Sequence, residues 1–243
     1  MNKINLLYSL KKVKNKSMDL REKVDFDLYD ATKMIGSVPF KAFLKTQVTG
    51  LENIPNTGAV ILAANHRSFM DSMLIPHVVK RRVTFVAKAE YFDSIKTRWF
   101  FKSTGQIPVR RDSLNSATGA LEAAKGVLEN GGVFAIYPEG TRTRDGFLHK
   151  GHTGVARLAI ETDAVIIPVG IVGTENVQDV HEKLPRVGKK ISIHFGKAID
   201  VEKYKSNTDS KLVLRNLTDE IMYEIFSLCK YGYVDSYAST IPI

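Results

Sequence analysis

Seven consecutive residues, Asn65-His66-Arg67-Ser68-Phe69-Met70-Asp71, set out an imidazole, a guanidinium, a hydroxyl and a carboxylate. The chemistry lies in His66 and Asp71. A carboxylate that accepts from one ring N–H fixes the histidine tautomer, and it stabilises the imidazolium that forms when the other nitrogen takes a proton. Five positions of separation turn a side chain by about 140° around a helix, so the two cannot meet inside one. They can meet if His66 stays in the loop and Asp71 lies in the first helical turn. Ser68-x-x-Asp71 has the form of a capping box, with Ser68 as N-cap and Asp71 at N3, and supports that placement. The other five histidines carry Arg82, Gly154, Arg157, Arg186 and Ile199 at the same offset, so the pairing is unique in the chain. The same residues also fit a purely structural reading, with Asp71 only a cap and His66 only a polar strand end.

Two further stretches collect cations. Tyr137-Pro138-Glu139-Gly140-Thr141-Arg142-Thr143-Arg144 follows an apolar run; Gly140 permits a tight turn, and Arg142 and Arg144 present forked donors suited to phosphate oxygens. Glu139 is unexpected beside them: it could anchor Arg142 or accept a substrate hydroxyl, and a plain surface turn with a Glu–Arg pair is the competing reading. Gly105-Gln106-Ile107-Pro108-Val109-Arg110-Arg111 delivers two arginines on an extended segment, whose alternation sends them to opposite sides. Lys150-Gly151-His152 adds cation density. There is no G-x-S-x-G elbow, no Walker loop and no G-x-G-x-x-G after a strand. A base without a nucleophile of its own suggests a substrate that brings one, and the anion clamps suggest that this substrate is phosphorylated and carries a hydroxyl.

The elements that must position these groups alternate. Ala59–Ala64, Val83–Ala87, Val133–Tyr137, Val165–Val172 and Lys190–Phe195 read as strands, with Ile107–Val109 a short extended piece. Phe69–Val79, Asp93–Lys102, Ser113–Glu129, Val155–Thr162 and Leu212–Leu228 read as helices. Leu114, Ala117, Leu121, Ala124 and Leu128 line one stripe of the third of these, and Asn130-Gly131-Gly132 ends it. Repeated βα units predict an α/β fold: a mostly parallel central sheet flanked by helices. Residues 46–243 are expected to form one domain. Residues 1–45, basic and then acidic and aromatic, predict a short N-terminal helical arm broken near Gly36–Pro39, either an amphipathic membrane contact or an arm packed on the domain. The aromatic stretch Tyr231–Ile243 has no pattern that places it.

The net charge of +9 over 243 residues favours polyanionic partners: phosphorylated metabolites, an anionic membrane surface or nucleic acid. Nucleic acid ranks last, because the basic residues are scattered among loops and termini without aromatic interleaving. The single cysteine, Cys229, excludes an intrachain disulfide and suits a reducing cytosolic setting. No zinc ligand set is visible beyond the neighbours His149 and His152, so no metal is expected. No signal peptide is apparent, and no apolar run approaches the roughly 20 residues needed to span a bilayer.

Taken together, the motifs resemble the lysophosphatidic acid acyltransferase family, the PlsC-type glycerolipid acyltransferases. Asn65, His66 and Asp71 match its N-H-x-x-x-x-D motif, and Gly105 to Arg111 match its second, a glycine followed by an apolar stretch and arginine. Tyr137 to Arg142 match F-P-E-G-T-R with Tyr137 replacing the usual phenylalanine, and Val165-Ile166-Ile167-Pro168-Val169 matches the fourth. The four stand in the family's order over roughly 48–200.

The resemblance implies His66 as general base, Asp71 as its orienter, and a glycerol phosphate site from Arg110 or Arg111, Glu139, Gly140, Thr141 and Arg142, with Lys88 nearby. It implies transfer of a fatty acyl group from acyl-CoA or acyl carrier protein to the free hydroxyl of lysophosphatidic acid, giving phosphatidic acid in phospholipid biosynthesis, without metal or cofactor. Peripheral attachment at the cytoplasmic face of the cell membrane follows from the same likeness. Glycerol 3-phosphate as acceptor, and a non-catalytic lipid-binding protein of this fold, are the alternatives; the intact His66–Asp71 pair argues against the second.

Overall fold

The computed structural model describes Tyr29 and residues 45–95, 98, 101–102, 104–109, 116–179, 181–182, 184–207 and 210–238. Apart from Lys45, which opens a strand, the rest of the arm expected over residues 1–45 lies outside the described residues, as does the membrane contact expected of it. Tyr29 itself is buried, and its hydroxyl accepts from the Val83 amide at 3.1 Å.

Six strands form the central sheet: β1 (Lys45–Thr49), β2 (Val60–Ala64), β3 (Val83–Thr84), β6 (Val133–Ile136), β8 (Val165–Val172) and β9 (Lys190–Phe195). Their spatial order is β1-β9-β8-β2-β6-β3. All pairings are parallel except β8 with β9. Two short parallel ladders lie outside it: β4 (Val86–Lys88) with β5 (Ile107–Val109), and β7 (Leu148–His149) with β10 (Tyr233–Val234). The helices are α1 (Phe69–Val78), α2 (Glu90–Asp93), α3 (Ser116–Glu129), α4 (Gly154–Thr162), α5 (Thr174–Val177) and α6 (Lys211–Cys229).

Strands buried on both faces need continuous apolar runs, and β2 (VILAA) and β8 (VIIPVGIV) have them. Alternation along β2 sends Ile61 and Ala63 toward a layer holding Leu128, Leu158, Leu217 and Ile221, and Val60, Leu62 and Ala64 toward one holding Leu74, Ile75 and Phe85. Helices α3, α4 and α6 therefore cover one face and α1 the other.

Several details depart from the sequence reading. The expected strand Val83–Ala87 is divided: Val83–Thr84 joins the central sheet, and Val86–Lys88 turns away to pair with β5. Strand β1 has no apolar run to announce it, because its KTQVT sequence alternates exposed and half-buried positions at a sheet edge. The aromatic stretch after α6 supplies β10.

Helix α6 presses so closely on β8 that a Cβ added at Gly170 would stand 2.5 Å from Leu228 Cβ and 2.8 Å from the Cys229 nitrogen. Gly170→Ala is therefore expected to lower unfolding stability by about 1–3 kcal/mol, since backbone and not a flexible side-chain tip must move. Denaturant melts of the two proteins measure it, and an unchanged midpoint contradicts the packing.

Candidate active site

The adjacent strands β8, β2 and β6 run parallel, so the loops leaving their C-terminal ends share one edge of the sheet, where open α/β sheets place ligands. The loop after β2 carries Asn65 to Ser68. That after β6 carries Tyr137 to Arg144, and that after β8 leads to Thr174.

Asn65 extends the β2–β8 ladder with its side chain. Its amide donates to Ile171 O at 2.9 Å and accepts from Ile171 N at 2.8 Å. The chain then leaves the sheet and enters α1 at Ser68. Ser68 Oγ accepts from Met70 N at 3.2 Å and Ser68 N donates to Asp71 Oδ2 at 2.8 Å, the reciprocal cap expected from the spacing. His66 lies before the cap, and its Nδ1 is 2.9 Å from Asp71 Oδ2. Asp71 is buried, while the His66 ring keeps 15% of its surface open. With Nδ1 committed to Asp71, Nε2 is the nitrogen left for a substrate.

Asp71 receives more than the imidazole. Arg67 N donates to Oδ2 at 2.8 Å, and Thr174 Oγ1, at the start of α5, donates to Oδ1 at 2.5 Å. Thr174 had no signal in the sequence, since its 103-residue separation from Asp71 closes only through the β2–β8 pairing.

Tyr137 lies parallel to the His66 ring, with centroids 3.8 Å apart and planes 8° from parallel. Its hydroxyl hydrogen-bonds with Ser72 Oγ at 2.9 Å, a contact that phenylalanine would lack. Burial, with the Asp71 charge adding to it, holds the Tyr137 phenol well above its ordinary pKa, so this wall stays neutral.

The structure overturns both sequence readings of Glu139. Its carboxylate neither anchors Arg142 nor faces the cavity; it is buried, accepting from His66 N at 3.1 Å on one oxygen and from His149 N at 2.8 Å on the other. Burial pushes its pKa up to about 7, against those two amide bonds, and the Asp71 and Asp145 charges add to the rise. Glu139 thus ties its own loop to the loop after β2 and to strand β7.

Gly140, Thr141 and Arg142 line the same cavity as His66, as does Arg144. Gly140 takes a positive φ of 73°, which glycine adopts without strain. Among the described residues neither Arg142 nor Arg144 has an ion-pair partner. Arg110 and Arg111 lie outside the described residues, as does the side chain of Lys88, whose backbone ends β4 opposite Val109. His149 and His152 do not converge: the His149 ring bonds Asp145 and Ser236 O, and His152 stacks on Tyr237. The cavity holds about 770 Å³, and its wall includes Arg142, Arg144 and Thr141 as well as Phe69, Met73, Phe85, Tyr91, Phe101 and Leu121.

The Acyltransferase family profile matches residues 45–172, just over half of the chain. The chain belongs to the acyltransferase family. A 1-acyl-sn-glycerol-3-phosphate acyltransferase of Borreliella burgdorferi is 31% identical over 184 residues, 76% of this chain and 71% of that protein. The chloroplastic 1-acyl-sn-glycerol-3-phosphate acyltransferase of Arabidopsis thaliana is 27% identical over 146 residues, 60% of this chain; the chain spans 41% of its length. The crystal structure of the lysophosphatidic acid acyltransferase PlsC from Thermotoga maritima superposes with a TM-score of 0.67 at 27% identity, covering 83% of this chain and 79% of that one. The acyltransferase fold, a curled and mostly parallel sheet flanked by helices, is therefore shared.

Two buried carboxylates generate predictions. Thr174→Val leaves Asp71 Oδ1 without its donor and is expected to cost about 1–3 kcal/mol in denaturant unfolding, while Thr174→Ser, which keeps the hydroxyl, costs much less. Equal losses would mean that the methyl packing matters and the bond does not. For Glu139 the folded-state pKa of about 7 lies above the ordinary 4.5, so the folded protein binds the extra proton between those values. The stability this confers is present in acid and is lost as pH rises toward 7. Wild type should therefore lose ground to Glu139→Gln between pH 5 and pH 8 in paired thermal melts; a pH-independent difference would contradict the raised value.

Proposed function

We infer that the chain is a 1-acyl-sn-glycerol-3-phosphate O-acyltransferase that moves a fatty acyl group from acyl-CoA or acyl carrier protein to the free hydroxyl of lysophosphatidic acid. The observation that carries this is the His66–Asp71 pair opening on a cavity lined both by guanidinium groups with no ion-pair partner among the described residues and by aromatic and aliphatic side chains. Such a mixed lining suits an amphiphile that carries both a phosphate and a hydrocarbon chain. The names of the relatives support the same substrate class.

The residues account for the chemistry in order. Arg142 and Arg144 hold the phosphate and bring the acceptor hydroxyl to His66. Nε2 of His66 takes the hydroxyl proton as the oxygen attacks the thioester carbonyl. Nδ1–H stays bonded to Asp71, whose charge stabilises the imidazolium. The C–S bond then breaks, the ester forms, and the imidazolium returns its proton to the departing thiolate. The thioester is already activated, so the protein needs a positioned base and a bound acceptor and no acyl-enzyme. A positioned base contributes roughly two to four orders of magnitude.

The site of action in this reading is the cytoplasmic face of the membrane, where substrate and product are lipids and a chain of net charge +9 is drawn to anionic headgroups. No helix among the described residues is long and apolar enough to cross a bilayer.

Purified protein should acylate lysophosphatidic acid from oleoyl- or palmitoyl-CoA. His66→Ala should lower the rate by about a hundredfold or more. Glycerol 3-phosphate in parallel reactions distinguishes the acceptor. Near-normal turnover by the alanine variant would place the base elsewhere, and no transfer to either acceptor by wild type would overturn the assignment.

A further inference from the structure

The segment that follows α6, residues 231–238, had no reading in the sequence, and it lies across the loops of the site as a strap. Its first residue, Tyr231, is clasped from two sides. The Arg67 guanidinium stands 4.6 Å above its ring, and its hydroxyl donates to Glu175 Oε1 at 3.1 Å. The next residues form the β10–β7 ladder, flanked by Leu148 N to Gly232 O at 2.8 Å and Lys150 N to Ser236 O at 3.1 Å. His149 Nδ1 adds a contact to Ser236 O at 3.2 Å. The strap is thus held by β7 with Lys150 after it, and by residues beside the His66–Asp71 pair.

Its end delivers Tyr237 to the cavity. The ring lies 4.5 Å from that of His152 with planes 11° apart, and both side chains line the cavity with Gly140, Thr141 and Arg142. His152 has further contacts: its backbone N donates to Pro138 O at 2.8 Å, and a Cβ on Gly140 would meet its ring at 3.2 Å. The exposed ring therefore lies against the strap's Tyr237 and beside the turn that carries Arg142. Partial burial and the nearby Arg215 charge lower its pKa, which favours a neutral imidazole with one N–H to donate.

We propose that His152, held face-on by Tyr237, is a specificity-determining contact for the polar end of the acceptor, donating to a phosphate or glycerol oxygen beside Arg142. Tyr237 acts through His152 as a positioning residue. This rests on the acceptor being a glycerol phosphate, as argued above.

Equilibrium binding of glycerol 3-phosphate, and of a short-chain lysophosphatidic acid, to the full chain by titration calorimetry tests it without requiring turnover. His152→Ala should weaken both ligands about tenfold, the loss of one hydrogen bond to a charged group. Tyr237→Ala should weaken both several-fold, and Tyr237→Phe, which keeps the ring, should restore most of that. Thermal melts of Tyr237→Ala should stay near wild type, because Tyr231 and the ladder still hold the strap.

Wild-type affinity in both alanine variants overturns the proposal while leaving the acyltransferase reading intact, as does a loss in Tyr237→Ala that Tyr237→Phe does not recover. Weakened binding in a protein that transfers no acyl group to either acceptor supports this contact and rejects the enzyme reading. No binding of either ligand by wild type overturns this contact outright.

Discussion

Removing the Asp71 carboxylate from water costs more than any one hydrogen bond returns, so the fold has to surround it with donors. It provides the Arg67 and Ser68 amides and the His66 ring on Oδ2, and the Thr174 hydroxyl on Oδ1. Each comes from a different structural requirement: a loop turn, a helix cap, a side-chain rotamer and a neighbouring strand. Once all are met, the position of the imidazole is no longer free. The orientation of the base is then a by-product of satisfying a buried charge.

The order β8-β2-β6 makes this arrangement possible. Thr174 follows β8, His66 and Asp71 follow β2, and Tyr137 and Glu139 follow β6, so the three contributions meet only because these strands are neighbours running the same way. Asn65 fastens the first junction by bonding both polar atoms of Ile171. Glu139 fastens the second by accepting from the His66 and His149 amides. The residues with the most reactive-looking side chains thus divide into two groups. Asn65, Asp71 and Glu139 are buried and build the frame, while His66, Thr141 and Arg142 face the cavity.

Local features were legible in the sequence. The apolar runs of β2, β6, β8 and β9 and the Ser68–Asp71 cap are written in consecutive residues, and the cap makes the His66–Asp71 contact possible without requiring it. What depends on long-range closure was not. Thr174 and the strap that carries Tyr237 reach the site only after the whole sheet is assembled, and no pattern in their own neighbourhoods announces it. Glu139 was misread for a related reason. Beside two arginines in sequence it suggests an ion pair, yet among the described residues no ion pair joins them. Backbone amides, invisible to side-chain pattern reading, take the carboxylate instead. Strand β1 lacks the apolar signature because an edge strand has one neighbour and a partly wet surface.

The two buried carboxylates also bear differently on an anionic ligand. Asp71 lies beneath a histidine that must become cationic, and there a negative charge helps. Glu139 lies beneath the loop that presents Arg142, and a full negative charge there would oppose a phosphate. Burial lifts its pKa to about 7, so at neutral pH much of that opposing charge is absent. Both its oxygens are turned to amides of the frame, away from the cavity. A phosphate bound nearby would raise the pKa further, drawing a proton onto Glu139 and removing the repulsion that remains. The same burial that makes the residue a rigid tie therefore keeps it from weakening the cationic wall it supports.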